Sequence, residues 1–215
     1  MAAYATVAEF KAWLDDNPDN IVDASGNNYD ALMSRLLESA SRAIDEDTGR
    51  IFYAQTGVAR TYYPDPSGTI HVVDLLSVTS IVMDANNDDV AETTLATTDY
   101  RLLPKTGGQG GVAVARYQEI QPAPAAARRF YPGWPVVITG NWGWTETYSG
   151  VVSAPREIQT ACLILASRLY MRRYAKLGRA VIPETGVSEG LARNDPDYQA
   201  IVRRYAHPTM AMVFA

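Results

Sequence analysis

The chain has 215 residues, of which 47% are hydrophobic and 20% are charged. This composition is ordinary for a globular protein and excludes global disorder and collagen-like repeats, while the length fits a single domain. The longest uncharged stretch, residues 130–145, is interrupted by prolines and glycines, and no apolar run approaches the ~20 residues of a membrane helix. The first residues lack a basic segment followed by an apolar one, so no signal peptide is predicted. The single cysteine, Cys162, excludes an internal disulfide and a cysteine zinc site.

The formal net charge is −5, and it is unevenly distributed along the chain. Residues 1–50 carry ten acids and four bases, residues 51–150 nine and six, and residues 151–215 five and nine. An acidic front and a basic back indicate a molecule that meets different partners, or its own copies, with different faces. The alternative is a chance sorting of solvated charges.

The N-terminal 50 residues predict two helices. Thr6 and Glu9 form a capping box, which starts a short helix with Phe10, Trp13 and Leu14 on its apolar face. This helix is expected to end near residue 16, before Asn17-Pro18. A second helix is predicted over residues 28–48, with Gly49 as its C-cap and an apolar stripe of Leu32, Met33, Leu36, Leu37, Ala40, Ala43 and Ile44. Its last turn holds three acids, residues 45–47, at the negative end of the helix dipole. They are either solvated or used by a group outside the helix.

From residue 51 to residue 144 the pattern changes to short β-rich runs divided by turns. The predicted strands are residues 58–63, 69–73, 77–83, 100–103, 112–115 and 135–139. The glycine-rich stretch 105–111 is interpreted as a hairpin loop and not as a phosphate loop. In a phosphate loop the lysine follows the glycines and a helix comes next, whereas here Lys105 precedes them and a strand follows.

Helical patterns return after Val152. Pro155 suits the first turn, and the apolar stripe of Ile158, Ala161, Cys162, Leu165 and Leu169 predicts a helix that ends before Gly178. A short helix is predicted from Asp197 to Tyr205. The fold class is therefore α+β, in one domain spanning residues 1–215: N-terminal and C-terminal helices (1–50 and 151–215) pack together, and an antiparallel β-rich region, about 51–150, is inserted between them.

The sequence offers no assembled catalytic, cofactor or metal site. The two histidines, His71 and His207, stand in no metal-ligand pattern. Cys162 falls on an apolar helix face, where a buried small hydrophobe is the better interpretation than a nucleophile. Carboxylate pairs such as Asp88 and Asp89 occur in polar turns, where nothing shifts their pKa values towards catalysis. We therefore expect no enzymatic activity and no cofactor.

Two groups of residues are candidates for contacts with other chains. Arg168, Arg172 and Lys176 form a basic row at helical spacing, with Arg173 beside it. The row is either solvated or meets acidic groups, for which the acidic end of the second helix is a natural partner, within the chain or from a neighbouring copy. The C-terminal residues Met210, Met212 and Phe214 are apolar, so this segment is either disordered or docked into another subunit.

An aromatic cluster lies near the end of the β-rich region. Phe130, Tyr131, Trp134, Trp142, Trp144 and Tyr148 follow Arg128 and Arg129 within 21 positions. Such a mixture is typical of a base-stacking platform, but packing of the rings into a core is the favoured interpretation because two arginines are few for a nucleic-acid groove.

Several of these pieces together resemble one family, the head–tail connector (adaptor) proteins of tailed bacteriophages. The resemblance rests on four stretches in order: residues 37–52 (LESASRAIDEDTGRIF), the strands after residues 60–63 (RTYY), the pair 137–144 (VITGNWGW) and 154–158 (APREI) leading to the helix that ends at 168–173, and 194–197 (NDPD) before the closing helix. Each stretch alone carries no chemistry; their order and spacing carry the resemblance.

The resemblance implies a structural virion protein. Connectors of this family form a ring, typically of twelve subunits, under the portal protein at the head–tail junction, after assembly in the host cytoplasm. The ring extends the DNA channel, through which double-stranded DNA passes without specific binding, and it is a docking platform for the next neck, stopper or tail protein. In similar proteins the C-terminal segment reaches towards the portal. An acidic, repelling channel lining agrees with the acidic first 50 residues. The alternatives are another neck component, such as a stopper or tail-completion protein, or an enzyme.

Overall fold

The computed structural model describes residues 3–14, 29–104, 116–124, 126, 128–148, 150–172 and 195–207. The chain divides into two compact units. A helical unit combines Met1–Phe52 with Ala154–Ala215, and a sheet unit comprises Tyr53–Ser153. That the whole chain acts as one connector domain stays a prediction.

The helical unit contains α1 (Val7–Leu14), α2 (Asp30–Thr48), α3 (Arg156–Met171) and α4 (Pro196–Tyr205). The capping box predicted for α1 is confirmed, since the Thr6 N–H donates to Glu9 Oε2 at 2.7 Å and the Glu9 N–H to Thr6 Oγ1 at 3.2 Å. Gly49 ends α2 in the left-handed conformation, with φ of 64°, as predicted. Trp13 departs from the prediction: it is 48% exposed, while Phe10 alone carries the buried face of α1.

The core of the helical unit lies where α2 packs against α3. The fully buried side chains there follow the predicted stripes and include Met33, Leu37, Ala40, Ile44, Ile158, Ala161 and Cys162. Cys162 Sγ lies 3.5 Å from Ser41 Oγ, and burial raises the pKa of its thiol. The interpretation of Cys162 as a packed hydrophobe is confirmed, because a buried thiol with a raised pKa is a poor nucleophile at neutral pH.

In the described residues of the sheet unit there are eight strands: β1 (Gln55–Tyr62), β2 (Ile70–Met83), β3 (Thr93–Thr94), β4 (Tyr100–Leu103), β5 (Tyr117–Pro122), β6 (Val136–Trp142), β7 (Glu146–Tyr148) and β8 (Val151–Ser153). Six of them form an antiparallel sheet of order β1-β6-β2-β5-β4, with β3 paired to β2, and β7 and β8 form a separate pair. The four helices and the antiparallel sheet of the described part of the chain confirm the α+β class.

The predicted strands 69–73 and 77–83 are wrong as separate strands, because the structure joins them into the 14-residue β2. Its ladder with β5 shifts register between His71 and Leu75, where Asp74 adopts a φ of 51°. A bulge of this kind bends a strand without ending it, and the sequence pattern around it therefore resembles a break between two strands.

β6 also extends past the end of the predicted strand 135–139, as far as Trp142, and Gly140 permits this extension. A Cβ at Gly140 would lie 2.2 Å from Ser77 O, so this glycine permits β2 and β6 to approach closely. Four strands were not predicted: β3, β5, β7 and β8. The predicted strand 112–115 and the glycine-rich loop 105–111 lie outside the described residues. Fully buried side chains fill the sheet core: Ile70, Leu75, Ile81, Ile120, Ile138 and Trp142.

Among the residues with assigned structure, no helix has the length and apolar character needed to cross a bilayer.

Candidate interaction surfaces

The acidic end of α2 is used inside the helical unit. The Tyr4 hydroxyl donates to Asp45, Arg42 pairs with the same carboxylate at 2.8 Å, and the Tyr198 hydroxyl donates to Asp47 at 2.7 Å. Burial raises the pKa of Asp45, although the Tyr4 hydrogen bond and Arg42 oppose the shift. Of the two interpretations offered for these acids, the structure supports use by groups outside the helix for Asp45 and Asp47, whereas Glu46 is exposed.

Tyr4 links three parts of the helical unit. Besides donating to Asp45, its hydroxyl accepts the Phe52 N–H at 3.0 Å. The Phe52 ring makes edge contacts with the rings of Tyr4 and Tyr205, at centroid distances of 5.7 and 5.8 Å. The N-terminal segment, the residues after α2 and the end of α4 therefore share one aromatic cluster.

The first arginine of the predicted basic row has a partner within the chain. Arg168 forms an ion pair with Asp195, which is 7% exposed. Asp195 is also the N-cap of α4, accepting the N–H groups of Asp197 at 2.9 Å and Tyr198 at 3.0 Å. Within the chain, Arg168 therefore pairs at the start of α4 and not with the acidic end of α2, and a pairing with a neighbouring copy stays a prediction.

The other predicted contact residues remain untested. Arg172 is exposed at the end of α3. Arg173, Lys176, Met210, Met212 and Phe214 lie outside the described residues. A role for any of the seven in a subunit or portal contact stays a prediction.

The aromatic cluster divides into a buried part and a surface part. Trp142 is fully buried, donates from Nε1 to Val58 O at 2.8 Å, and stacks on Tyr62. Phe130 is 4% exposed, so for these two rings the packing interpretation is confirmed. Trp134, Trp144 and Tyr148 are half-buried, and Tyr131 is 47% exposed.

An exposed surface of aromatic rings and arginines lies at one end of the six-stranded sheet. Trp134 N–H donates to Tyr131 O at 3.1 Å, closing a turn that brings the two rings to a centroid distance of 4.6 Å. Tyr63, 61% exposed, follows the residue of β1 that pairs with Val136 at the start of β6. Arg128 and Arg129, both exposed, directly precede this turn in the chain, and Trp134 is half-buried. We call this group the aromatic–arginine surface: Tyr63, Arg128, Arg129, Tyr131 and Trp134.

An acidic segment leaves the same end of the sheet. Residues 84–99 contain five acids and no base. Asp84 is fully buried and accepts the backbone N–H groups of Asn86, Asn87 and Asp89 at 2.9, 2.6 and 3.0 Å. Burial alone would raise the pKa of Asp84, but these donors outweigh it and lower the pKa.

Carboxylate oxygens of Asp84, Asp88 and Glu92 lie within 4.8 Å of one another. Backbone N–H groups already occupy them: besides the donors to Asp84, Val90 donates to Asp88 at 3.0 Å and Ala85 to Glu92 at 3.2 Å. The cluster is explained by closure of the turn after β2, and Asp88 is exposed, as predicted from its polar surroundings.

One open pocket of about 510 Å³ lies against β2, β4 and β5. Its lining residues are Leu76, Ser77, Val78, Thr97, Tyr100, Arg101, Leu102 and Tyr117. Arg101 donates to Gln121 Oε1 at 2.5 Å, and burial raises the pKa of Tyr100. None of these eight described lining residues is a histidine, a cysteine or a carboxylate.

Comparison with known proteins identifies similar folds in solved particles. The chain is similar to a chain in "Neck of empty GTA particle computed with C6 symmetry", with a TM-score of 0.55 and 18% identity over 96% of this chain and 92% of that one. Chains in "Neck of native GTA particle computed with C12 symmetry" and "Virion of native gene transfer agent (GTA) particle" match over the same shares, with TM-scores of 0.51 and identities of 19% and 21%. At such identities the likeness shows a shared fold. No protein-family model and no curated protein matches the sequence.

Proposed function

We propose that this chain is a structural neck protein of a phage-like particle, and specifically a head–tail connector (adaptor) that forms a ring under the portal. The observation that carries the proposal is the fold likeness to chains of gene transfer agent necks, which extends over 96% of this chain and 92% of those chains. Because the likeness extends over nearly the whole of both chains, the two proteins share their complete architecture and not only one common motif. The connector resemblance of the sequence motifs supports the same class independently.

The proposed ring has many copies, with twelve expected in the particle. One matched neck was computed with C12 symmetry and another with C6 symmetry. The ring extends the DNA channel, and it contacts the portal protein on one side and the next neck, stopper or tail protein on the other. Its place is the head–tail junction of the virion, following assembly in the host cytoplasm.

The role is mechanical and requires no cofactor or catalytic residue. Passage of DNA without adhesion needs a lining that avoids dense Lys and Arg contacts, and a net charge of −5 suits such a lining. Reversal of four acids of the N-terminal part to lysine, at Asp15, Asp16, Asp19 and Asp23, should increase DNA retention by assembled rings. Unchanged retention in a DNA-binding assay would count against a repelling channel.

A second candidate is another neck component, such as a stopper or tail-completion protein. The matched structures are named as neck and virion and do not distinguish neighbouring layers of the neck. The two candidates differ in partner: an adaptor binds the portal, whereas a stopper or tail-completion protein binds the components below it.

Native mass spectrometry of the chain mixed with the portal protein of the same genome tests the proposal. We expect a complex with one copy of this chain per portal subunit. Binding to tail-side proteins with no portal complex, both proteins being folded, would assign the chain to the lower neck. Removal of residues 210–215 tests whether Met210, Met212 and Phe214 contribute to the portal contact. If these C-terminal residues bind the portal, the truncated chain should lose the portal complex while the free chain folds unchanged.

A further inference from the structure

We propose that the end of the six-stranded sheet forms a head-to-tail contact between copies of this chain, in which the aromatic–arginine surface of one copy receives the acidic segment, residues 84–99, of the next. The inference rests on the proposed ring and names the surfaces that build it.

The two surfaces lie side by side along one end of the sheet. Tyr63 follows the end of β1, and the turn of Tyr131 and Trp134 precedes β6. β2 ends beside the start of β6, since Met83 pairs with Val136 and the Asp84 N–H donates to Pro135 O at 3.1 Å. On its other side β2 pairs with β3, which closes the acidic turn.

Charge therefore changes sign across this end of the sheet. Arg128 and Arg129, both exposed, precede the turn that leads into β6, and no described residue forms an ion pair with either. At the β2 and β3 side stand Asp88, Asp89 and Glu92, also exposed. Three strand spacings of about 4.8 Å, roughly 15 Å, separate β1 from β3. The polarity is lateral, so one side of a copy is complementary to the opposite side of its neighbour.

The composition of the aromatic–arginine surface is that of a protein interface. Tyrosine, tryptophan and arginine are the residue types that contribute most to binding energy in interfaces. The Tyr131 and Trp134 rings are held in contact by a closed turn, so little side-chain freedom remains to be lost on binding. The acidic segment adds an apolar group, Val90, which is 58% exposed.

A second copy of this chain fits this surface best. A contact between two different faces is heterologous, and when the rotation between copies closes, it generates a ring. Double-stranded DNA is a poor occupant, because the acidic segment beside the arginines would repel its phosphates. Complementary charges would also set the register between neighbouring copies.

Charge exchange tests the contact in rings of the full chain, formed alone or on the portal protein. Arg128→Glu with Arg129→Glu should weaken ring assembly at least about tenfold, and so should Asp89→Lys with Glu92→Lys. The combined four-residue exchange should restore assembly, since every interface again joins opposite charges.

A neutralising variant, Asp89→Asn with Glu92→Gln, is also expected to weaken the ring, because it removes the negative charges. Asparagine is chosen at residue 89 because it tolerates the positive φ there. The control, Arg35→Glu with Arg203→Glu, alters two exposed arginines of the helical unit.

Cysteine cross-linking gives a second readout. Oxidised rings of the Arg129→Cys, Glu92→Cys double variant should yield a ladder of covalent oligomers on a denaturing gel, whereas a mixture of the two single variants should yield dimers only. Rings that resist charge reversal and give no ladder would overturn this inference and leave the proposed function standing. Failure of the wild-type chain to form a ring, alone and with the portal, would overturn both.

Discussion

At the scale of single residues, the Tyr4 hydroxyl makes two hydrogen bonds inside the helical unit, one part-buried and one buried. It donates to Asp45 and accepts the Phe52 N–H, and Tyr4 is 6% exposed. Tyr4→Phe leaves both groups without this partner, so we expect a loss of about 1–3 kcal/mol in the free energy of unfolding. Urea denaturation measures it, with Tyr63→Phe as a control because Tyr63 is 61% exposed. Equal stability of Tyr4→Phe and wild type would contradict the role assigned to the hydroxyl.

Asp84 and Asp45 should impose opposite pH dependences on stability. The folded-state pKa of Asp84 is lowered, so its contribution is present above the unfolded pKa near 4 and is lost as pH falls through the folded value. Asp84→Asn removes that term, and we expect the variant to lose less stability than wild type between pH 6 and pH 3. Denaturation curves at the two pH values measure the difference, and parallel losses in both proteins would refute it.

The Asp45 carboxyl behaves in the reverse sense. Burial raises its folded-state pKa, so protonation favours the folded state, and this contribution is lost as pH rises from about 4 through the raised value. Relative to wild type, Asp45→Asn should therefore become more favourable at pH 7 than at pH 4. The same denaturation series checks the sign, with Glu38→Gln on the exposed face of α2 as the matched control.

At the scale of the elements, α4 depends on one carboxylate. Asp195 caps its first turn and pairs with Arg168 on α3. Asp195→Ala removes both interactions, and we expect a cost of about 2 kcal/mol together with faster amide exchange across Pro196–Tyr205. Hydrogen exchange followed by mass spectrometry measures this opening. Asp197→Ala, on the exposed side of the same turn, is the control and should leave exchange nearly unchanged.

The β2–β6 pairing depends on the absence of a side chain at Gly140. Its missing Cβ would lie 2.2 Å from Ser77 O, a backbone atom that cannot move without breaking the ladder. Gly140→Ala should therefore cost about 3 kcal/mol or more, or prevent folding. Gly150→Ala is the control that separates a steric clash from backbone strain. Residue 150 has a φ of 81° and no atom within 4 Å of an added Cβ. We therefore expect a loss of only about 1 kcal/mol in the free energy of unfolding there.

At the scale of the whole molecule, assembly should depend on ionic strength. The proposed contact joins exposed charges across the sheet ends, and salt screens such pairs over a Debye length of about 10 Å at 0.1 M. Mass photometry of rings between 50 and 500 mM NaCl should show dissociation as salt rises, and the four-residue charge exchange should show the same dependence. Rings that become more stable as salt rises would indicate a contact dominated by apolar burial.

The helices were predictable because their signals are local. Thr6 and Glu9 cap α1 three residues apart, Gly49 ends α2, and the stripe from Met33 to Ile44 repeats at helical spacing. The class α+β follows from the order of such local patterns. The sheet was predicted less completely, since a bulge at Asp74 resembles a turn, and strands of two or three residues carry too few positions to show alternation.

The candidate surfaces were only half visible in the sequence. The clustering of rings and arginines near residue 130 is a property of the sequence, but which rings are buried is not: Trp142 and Tyr131 are eleven positions apart and differ completely in exposure. Likewise, the sequence determined that α2 ends in three acids and that α3 ends in arginines. Only the tertiary structure decided that Asp45 accepts the hydrogen bond of the Tyr4 hydroxyl and that Arg168 forms its ion pair with Asp195. It likewise decided that residues 84 and 135 are hydrogen-bonded at one end of the sheet. The physical reason is range: caps and stripes act within a few residues, whereas these partners are 27 to 51 positions apart and are chosen when the elements pack.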